Sequence, residues 1–385
     1  MKITCNDVAD IALGGAFLAC GGGGDVLVGR MVAERVLREH GNVDLIPLQE
    51  ITDDATVIAV GGVGAPSIMN EKVSNGTEAI TALRILEEYT GRKADALIAF
   101  EAGGFNSLVP VMIASQLGLP VLDADGMGRA FPEMQMETFS IYGVSATPLT
   151  LVGNAGHSII MNMADASTAE KLIRQFTVLG GGGACFSAEH VMDGSTVKRV
   201  SVPHTISLSL RLGRCLRENH GNMKEFRQEL DAILQTARYG RPNVLFEGKV
   251  VDVDRQVTGG YDVGIVTLQE FGAGENNMTM DIQNEFLTAR LGTHVLATVP
   301  DLICMLDNDT VQPITQETLR YGQRVTVMGI SAPEILRTEQ ALKVVGPKCF
   351  GIDMEYIPIE QRLGTVGLEF DSTGTELIPS PYRST

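Results

Sequence analysis

Ala96-Leu-Ile-Ala-Phe100 and Pro120-Val-Leu122 are two short apolar runs, and each breaks at once into acid and glycine. The first continues as Glu101-Ala-Gly-Gly-Phe-Asn106. The second continues as Asp123-Ala-Asp-Gly-Met-Gly-Arg-Ala-Phe-Pro-Glu133. Residues 107–117 between them read as a helix. A continuous apolar run of this length fits a strand buried on both faces, and strand–helix–strand predicts neighbouring parallel strands. Ligands of open α/β sheets sit beyond the carboxyl ends of such strands. Both acidic stretches therefore fall where a site is expected.

Working outward, the pattern stays α/β. Asn6 or Asp7 can cap a helix that stops at the glycines of residues 21–24, and a second helix covers 26–40. Strands are expected at 43–48 and 56–60, the latter running into Gly61-Gly-Val-Gly64, and a helix at 71–89. Extended segments follow at 149–152 and 158–163. A helix over 168–179 ends in a second four-glycine run, 180–183, and two more helices cover 205–218 and 223–236. From Arg241 the texture changes to short β-rich runs at 244–253, 262–268, 278–282, 294–297 and 324–328. The expectation is an α/β N-terminal domain with an open mixed or parallel sheet over residues 1–240, catalytic or ligand-binding. A β-rich domain is expected over 241–385, with the boundary near Tyr239-Gly-Arg-Pro242.

The formal net charge of −17 opposes binding to phosphate backbones and anionic lipid. The chain has no Trp, so a stacking surface for nucleic acid is not expected either. Residues 1–7 lack the basic flank and apolar run of a secretory signal, and no run suits a membrane span. Six scattered cysteines form no CxxC pair. These readings point to a cytoplasmic protein with reduced thiols, a small-molecule substrate, and no nucleic-acid or membrane partner. Homo-oligomers remain open through the edges of the β-rich domain.

Several residues can carry chemistry. Asp123 and Asp125 are two apart on an extended chain, so they share a side and could share a proton or a metal. Arg129 could balance them or hold an anion, and Glu133 adds a third acid. Glu101 and Asn106 stand at the end of the neighbouring strand, although Asn106 also suits a helix cap. Backbone amides of Gly22, Gly23 and Gly24, or of Gly181 and Gly182, could line a substrate. No Walker sequence follows them and Gly61-Gly-Val-Gly64 lacks the dinucleotide spacing, so no nucleotide is expected. His157, preceded by glycine, could join Asp123 and Asp125 around a divalent ion, zinc or manganese. His190 directly follows Glu189, and His204 stands at a helix start. Cys185 and Cys20 are candidate thiol nucleophiles, against the bland reading of buried inert cysteines.

Three stretches, Cys20-Gly-Gly-Gly-Gly-Asp25, Glu101-Ala-Gly-Gly-Phe-Asn-Ser107 and the run from Asp123 to Glu133, resemble the S-methyl-thiohydantoin desulfurase family. Val299-Pro-Asp-Leu-Ile303 and Leu319-Arg-Tyr-Gly-Gln-Arg-Val325 resemble its C-terminal domain. The resemblance implies an α/β domain followed by a β-rich one. It also implies a part in hydantoin or thiohydantoin breakdown, often beside hydantoinase or oxoprolinase genes. The expected function is hydrolase-type cleavage of a hydantoin- or thiohydantoin-like ring with loss of thiol or sulfide. The alternatives are a non-catalytic accessory subunit of a hydantoinase or oxoprolinase system, or a small-molecule-binding protein. In the leading reading Asp123 or Asp125 is the base or a metal ligand, Glu101 its partner, and Arg129 the grip on a carboxylate or developing anion.

Overall fold

The computed structural model describes residues 1–23, 26–64, 76–179, 184–259, 261–272 and 276–365. Gly24, Gly181 and Gly182, the start of the helix expected at 71–89, and residues 366–385 lie outside them. The first half runs β1 (Lys2–Ile3), α1 (Val8–Leu18), α2 (Val26–His40), β2 (Val43–Ile46), β3 (Thr56–Gly64), α3 (Glu78–Thr90), β4 (Ala96–Ala99), α4 (Val109–Leu117) and β5 (Val121–Asp125). It continues with α5 (Thr138–Ile141), β6 (Leu149–Gly153), β7 (Ser158–Met161), α6 (Ala166–Leu179), β8 (Ala184–Asp193), α7 (Gly194–Val200), β9 (Val202–Pro203), α8 (Thr205–Glu218) and α9 (Met223–Gln235). The second half holds β10 (Pro242–Thr258), β11 (Tyr261–Glu270), β12 (Asn277–Gln283), β13 (Glu285–Phe286), β14 (Thr288–Leu291), β15 (His294–Thr298), β16 (Leu302–Asp307) and β17 (Arg324–Ile330), then α10 (Glu339–Val345) and α11 (Ile359–Thr365).

The N-terminal strands form one mixed sheet in the order β1-β2-β5-β4-β3-β8-β6-β7, with β9 added against β5. Its centre is parallel: β2 on β5, β5 on β4, β4 on β3. The two apolar runs quoted first are indeed adjacent parallel strands, and both are buried throughout. The sheet turns antiparallel where β8 pairs with β3 over its whole length. Here the structure extends the expectation, because Gly61-Gly-Val-Gly64 is strand and not loop. A Cβ on Gly61 would sit 2.2 Å from the Phe100 ring, so glycine lets β3 run on past that ring.

The C-terminal strands form an antiparallel sheet in the order β15-β14-β12-β11-β10-β17-β16, with β13 on β12. Met278, Met280 and Ile282 alternate as buried residues along β12, the period-two pattern of a sheet with one covered face. The chain leaves the first sheet at β9 and enters the second at Pro242, with α8 and α9 between. Among the described residues no helix is long and apolar enough to cross a membrane.

Helices α1 and α8 pack with their backbones in contact. A Cβ on Gly14 would lie 1.8 Å from the Ser209 carbonyl oxygen, and one on Gly213 would lie 1.7 Å from that of Asp10. Beside this crossing Arg217 Nε donates to Asp10 Oδ1 at 2.8 Å. The crossing carries the start of α8, which meets β5 at the site described below. Gly213→Val should force these helices apart and destabilise the fold by about 1–3 kcal/mol, the usual cost of overpacking. An unchanged urea midpoint for that variant would contradict the close crossing.

Candidate functional site

β4 and β5 end side by side, which brings Glu101 and Asp125 to one sheet edge. Asp125 is fully buried. Its Oδ2 accepts from Ala102 N at 2.6 Å, and both oxygens accept from Gly128 N at 3.0 Å. Burial pushes its carboxyl up to about 7, while the backbone N–H groups of Ala102 and Gly128 pull the other way. Asp123 does a different job. Its Oδ1 accepts from Ser207 N at 2.8 Å and its Oδ2 from Ser207 Oγ at 2.6 Å, with His204 Nδ1 3.2 Å away. His204 occupies the N-cap position of α8 with φ of 65° and makes no side-chain cap. Asp123 thus supplies, from a strand, the acceptor that a capping side chain usually gives the first turn.

Arg129 is completely buried. Its Nε donates to Ala130 O at 3.0 Å, one terminal nitrogen to Asp301 O at 2.6 Å, and the other to Phe286 O at 3.3 Å. The guanidinium also lies 4.9 Å from the centre of the Phe131 ring. It joins the loop after β5 to two points of the C-terminal half and does not line the cleft.

The cleft lies beyond the ends of β3 and β4, with a cavity volume of about 70 Å³. That is several times what one water needs, about 10–15 Å³, so the space suits a small ligand. Glu101 stands in its wall, 7% exposed. Glu101 Oε1 accepts from Asn106 Nδ2 at 2.8 Å. Asn106 is itself pinned, accepting from Gly62 N at 2.6 Å and donating to Gly62 O at 3.1 Å. Glu101 Oε2 is buried with no hydrogen-bond partner. Burial pushes Glu101 up to about 8; the Asn106 bond opposes this and the Asp125 charge adds to it.

Glu133 lines the same cleft and burial raises its pKa. Beside it Arg174 Nε donates to Glu170 Oε1 at 2.5 Å, and Glu170 Oε2 accepts from Met134 N at 3.0 Å. The C-terminal half closes the site. Tyr261 stacks under Arg174, 4.4 Å from its guanidinium, and Asn284 and Glu285 line the cleft. Glu285 is buried, holds one unpartnered oxygen, and is raised well above the usual carboxylate range by burial. Gly22 makes its approach feasible, because a Cβ there would fall 2.1 Å from Glu285 Oε1. Gly23 lines the cleft.

A second group adjoins it. Glu137, which lines the cleft, meets Glu189 and His190 from β8, with one ligand atom of each within 4.8 Å of the others. This fully buried Glu-Glu-His cluster can hold a metal. The set expected from sequence, His157 with Asp123 and Asp125, is not brought together within that range. His157 sits on the exposed turn between β6 and β7, and both aspartates are committed to backbone and hydroxyl partners. Cys185 is buried and its thiol pushed up to about 12 by burial. For Cys20 burial also raises the thiol, but the Cys304 hydrogen bond and the Arg129 charge outweigh it and hold the group at about 7. Neither cysteine lines the cleft.

Sequence reasoning did not single out Glu137, Glu170, Glu189, Arg174 or Glu285. The available signal was Glu189-His190, two ionisable residues side by side within the mostly apolar run of β8.

The sequence matches two family models. The S-Me-THD-like N-terminal domain covers residues 6–163 and the S-Me-THD-like C-terminal domain covers residues 164–359. A protein from Chromobacterium violaceum, known from an X-ray crystal structure, shares the fold with a TM-score of 0.79 at 23% identity. The alignment spans 93% of this chain and 100% of that one. None of the curated proteins compared matches the chain.

The buried acids make stability depend on pH in an unusual direction. Glu101 ionises at about 4.5 unfolded and about 8 folded, so its contribution is complete below about 4.5 and lost as pH rises through 8. Asp125, raised to about 7, acts in the same sense. The melting temperature should rise as pH falls from about 8 to about 5, and Glu101→Gln should flatten that slope. A Glu101→Gln curve parallel to wild type would show that Glu101 is ionised normally.

Proposed function

The chain belongs to the S-methyl-thiohydantoin desulfurase family, and we propose that its cleft hydrolyses a hydantoin- or thiohydantoin-like ring with release of thiol or sulfide. The observation that carries this reading is Glu101: a buried carboxyl with one oxygen locked by Asn106 and the other unpartnered. An acid of this kind is suited to moving a proton at a held water.

In the proposed step, Glu101 in its carboxylate form takes a proton from water as the water oxygen bonds to the ring carbon bearing sulfur. The electron pair of the C=N or C=S bond moves onto its heteroatom. The remaining proton of the attacking water moves to that heteroatom as its oxygen forms the ring carbonyl, and the C–S bond breaks with its electron pair on sulfur, which departs with the proton from Glu101. Asp125 acts on Glu101 through its charge. Asp123 holds the start of α8, Arg129 holds the loop that carries Glu133, and Glu133 and Glu285 accept hydrogen bonds from ring N–H groups. A divalent ion, zinc or manganese, belongs to this reading as an aid to water activation, and no nucleotide does. Hydantoinase subunits and further copies of this chain are its candidate partners.

The test is thiol release from S-methylated and unmethylated thiohydantoins by purified protein, followed with a thiol-reactive dye. The rate should climb with pH to an inflection near 8, because the working form of Glu101 is the carboxylate. Glu101→Gln should lower kcat by about 10²–10⁴ without unfolding the chain. Full turnover in that variant would remove Glu101 from the chemistry. Ligand binding without turnover, with activity appearing only beside a hydantoinase, would replace hydrolysis by the accessory-subunit role.

A further inference from the structure

We propose that Glu137 Oε2, Glu189 Oε1 and His190 Nε2 are the three protein ligands of a divalent transition-metal site reached from the cleft along Glu137. It rests on the proposed hydrolysis only for the use made of the ion, not for the site.

The first support is backbone geometry. Adjacent residues of a strand point to opposite faces, so Glu189 and His190 should not share a centre. They do so because β8 carries a bulge against β3, where the register slips between Ile58 and Ala59. His190 is the extra residue and adopts φ of 46°, left-handed backbone that a non-glycine residue seldom takes. Bulges of this kind re-aim side chains. Here the bulge turns an imidazole toward the carboxylates of its own chain neighbour and of Glu137.

The second is spacing. His190 Nε2 lies 3.4 Å from Glu137 Oε2 and 3.9 Å from Glu189 Oε1. Both separations exceed a normal N–H···O hydrogen bond. Around an ion with bonds of about 2.0–2.2 Å the edges of a tetrahedron are about 3.3–3.6 Å, so the first separation is such an edge and the second is slightly longer than one. The third is satisfaction. Glu137 Oε2 and Glu189 Oε1 are buried and without hydrogen-bond partners, and they are the two oxygens that face the imidazole. Among the described residues neither carboxylate pairs with Lys or Arg. Buried polar atoms need a partner, and one dication answers both oxygens.

One nitrogen and two carboxylate oxygens, without thiolate, suit zinc, manganese or ferrous ion better than calcium or cuprous ion. Three protein ligands leave a position for water, the arrangement of catalytic rather than structural zinc.

The experiment dialyses the full chain against chelator, returns Zn(II), Mn(II) or Co(II), and counts bound metal by elemental analysis after gel filtration. The expected result is one equivalent of at least one ion, with the visible d–d absorption of low-coordinate Co(II), bleached by zinc. Glu189→Gln and His190→Ala should each weaken binding at least about tenfold. His157→Ala, on the exposed turn, should leave it unchanged. The wild-type Co(II) spectrum decides the matter even if a buried variant fails to fold. Folded wild type that takes up none of the three ions overturns the proposal, and Glu137 and Glu189 then share a proton. A chain that loads one equivalent but releases no thiol leaves this site standing and removes the hydrolysis. A chain that takes up no ion and still releases thiol does the reverse.

Discussion

Arg129 is a fully buried charge, and its hydrogen bonds tie the two halves of the molecule together. A guanidinium offers five N–H donors in a rigid fork. Here they reach Ala130 O in the N-terminal half and Asp301 O and Phe286 O in the C-terminal half. The carbonyls it takes up are themselves held. The Asp301 carboxylate accepts from Ala332 N at 2.9 Å, Ile359 N at 2.8 Å and the Tyr356 hydroxyl at 2.7 Å. On the other side Tyr239 donates its hydroxyl to Gly128 O, one residue from Arg129. The loop after β5 is therefore fixed from both directions, and its outer part, Phe131 to Glu133, is presented to the cleft at a set depth.

This arrangement reassigns the acids near the loop by position alone. Asp125 faces backbone N–H groups and sets the loop's curvature. Asp123 faces the start of α8 and sets that helix's position. Glu101, on the next strand, is left facing the cavity with a free oxygen. Three carboxyls within one short region of the sheet edge thus have three environments.

Much of the N-terminal fold was legible because its parallel strands are apolar runs bounded by glycine and acid, which few other structures produce. The adjacency of Glu101 to the loop after β5 followed from that pattern. The direction of each side chain did not, because it depends on partners far away in sequence, such as Ser207 for Asp123 and Asp301 for Arg129. The strand β8 was harder to read. Its Glu189 and His190 suggest a surface, yet both are buried, and the bulge that buries them has no local sequence mark. Glu285 was invisible for a related reason: it enters the site through the antiparallel pairing of β12 and β13, and only the tertiary fold sets it against Gly22.

The cleft's walls come from both halves, with Glu101, Glu133 and Glu137 from one and Asn284 and Glu285 from the other. A constraint on inheritance follows. Genes for multidomain proteins are often cut and rejoined between domains, and each piece can keep its activity when each holds a complete site. Here a cut between the sheets would leave one fragment with a cavity lacking the wall of Asn284 and Glu285, and an arginine deprived of two of its three carbonyls. The two halves must therefore be inherited together for the site to stay whole, because Asn284 and Glu285 close a wall that the N-terminal half leaves open.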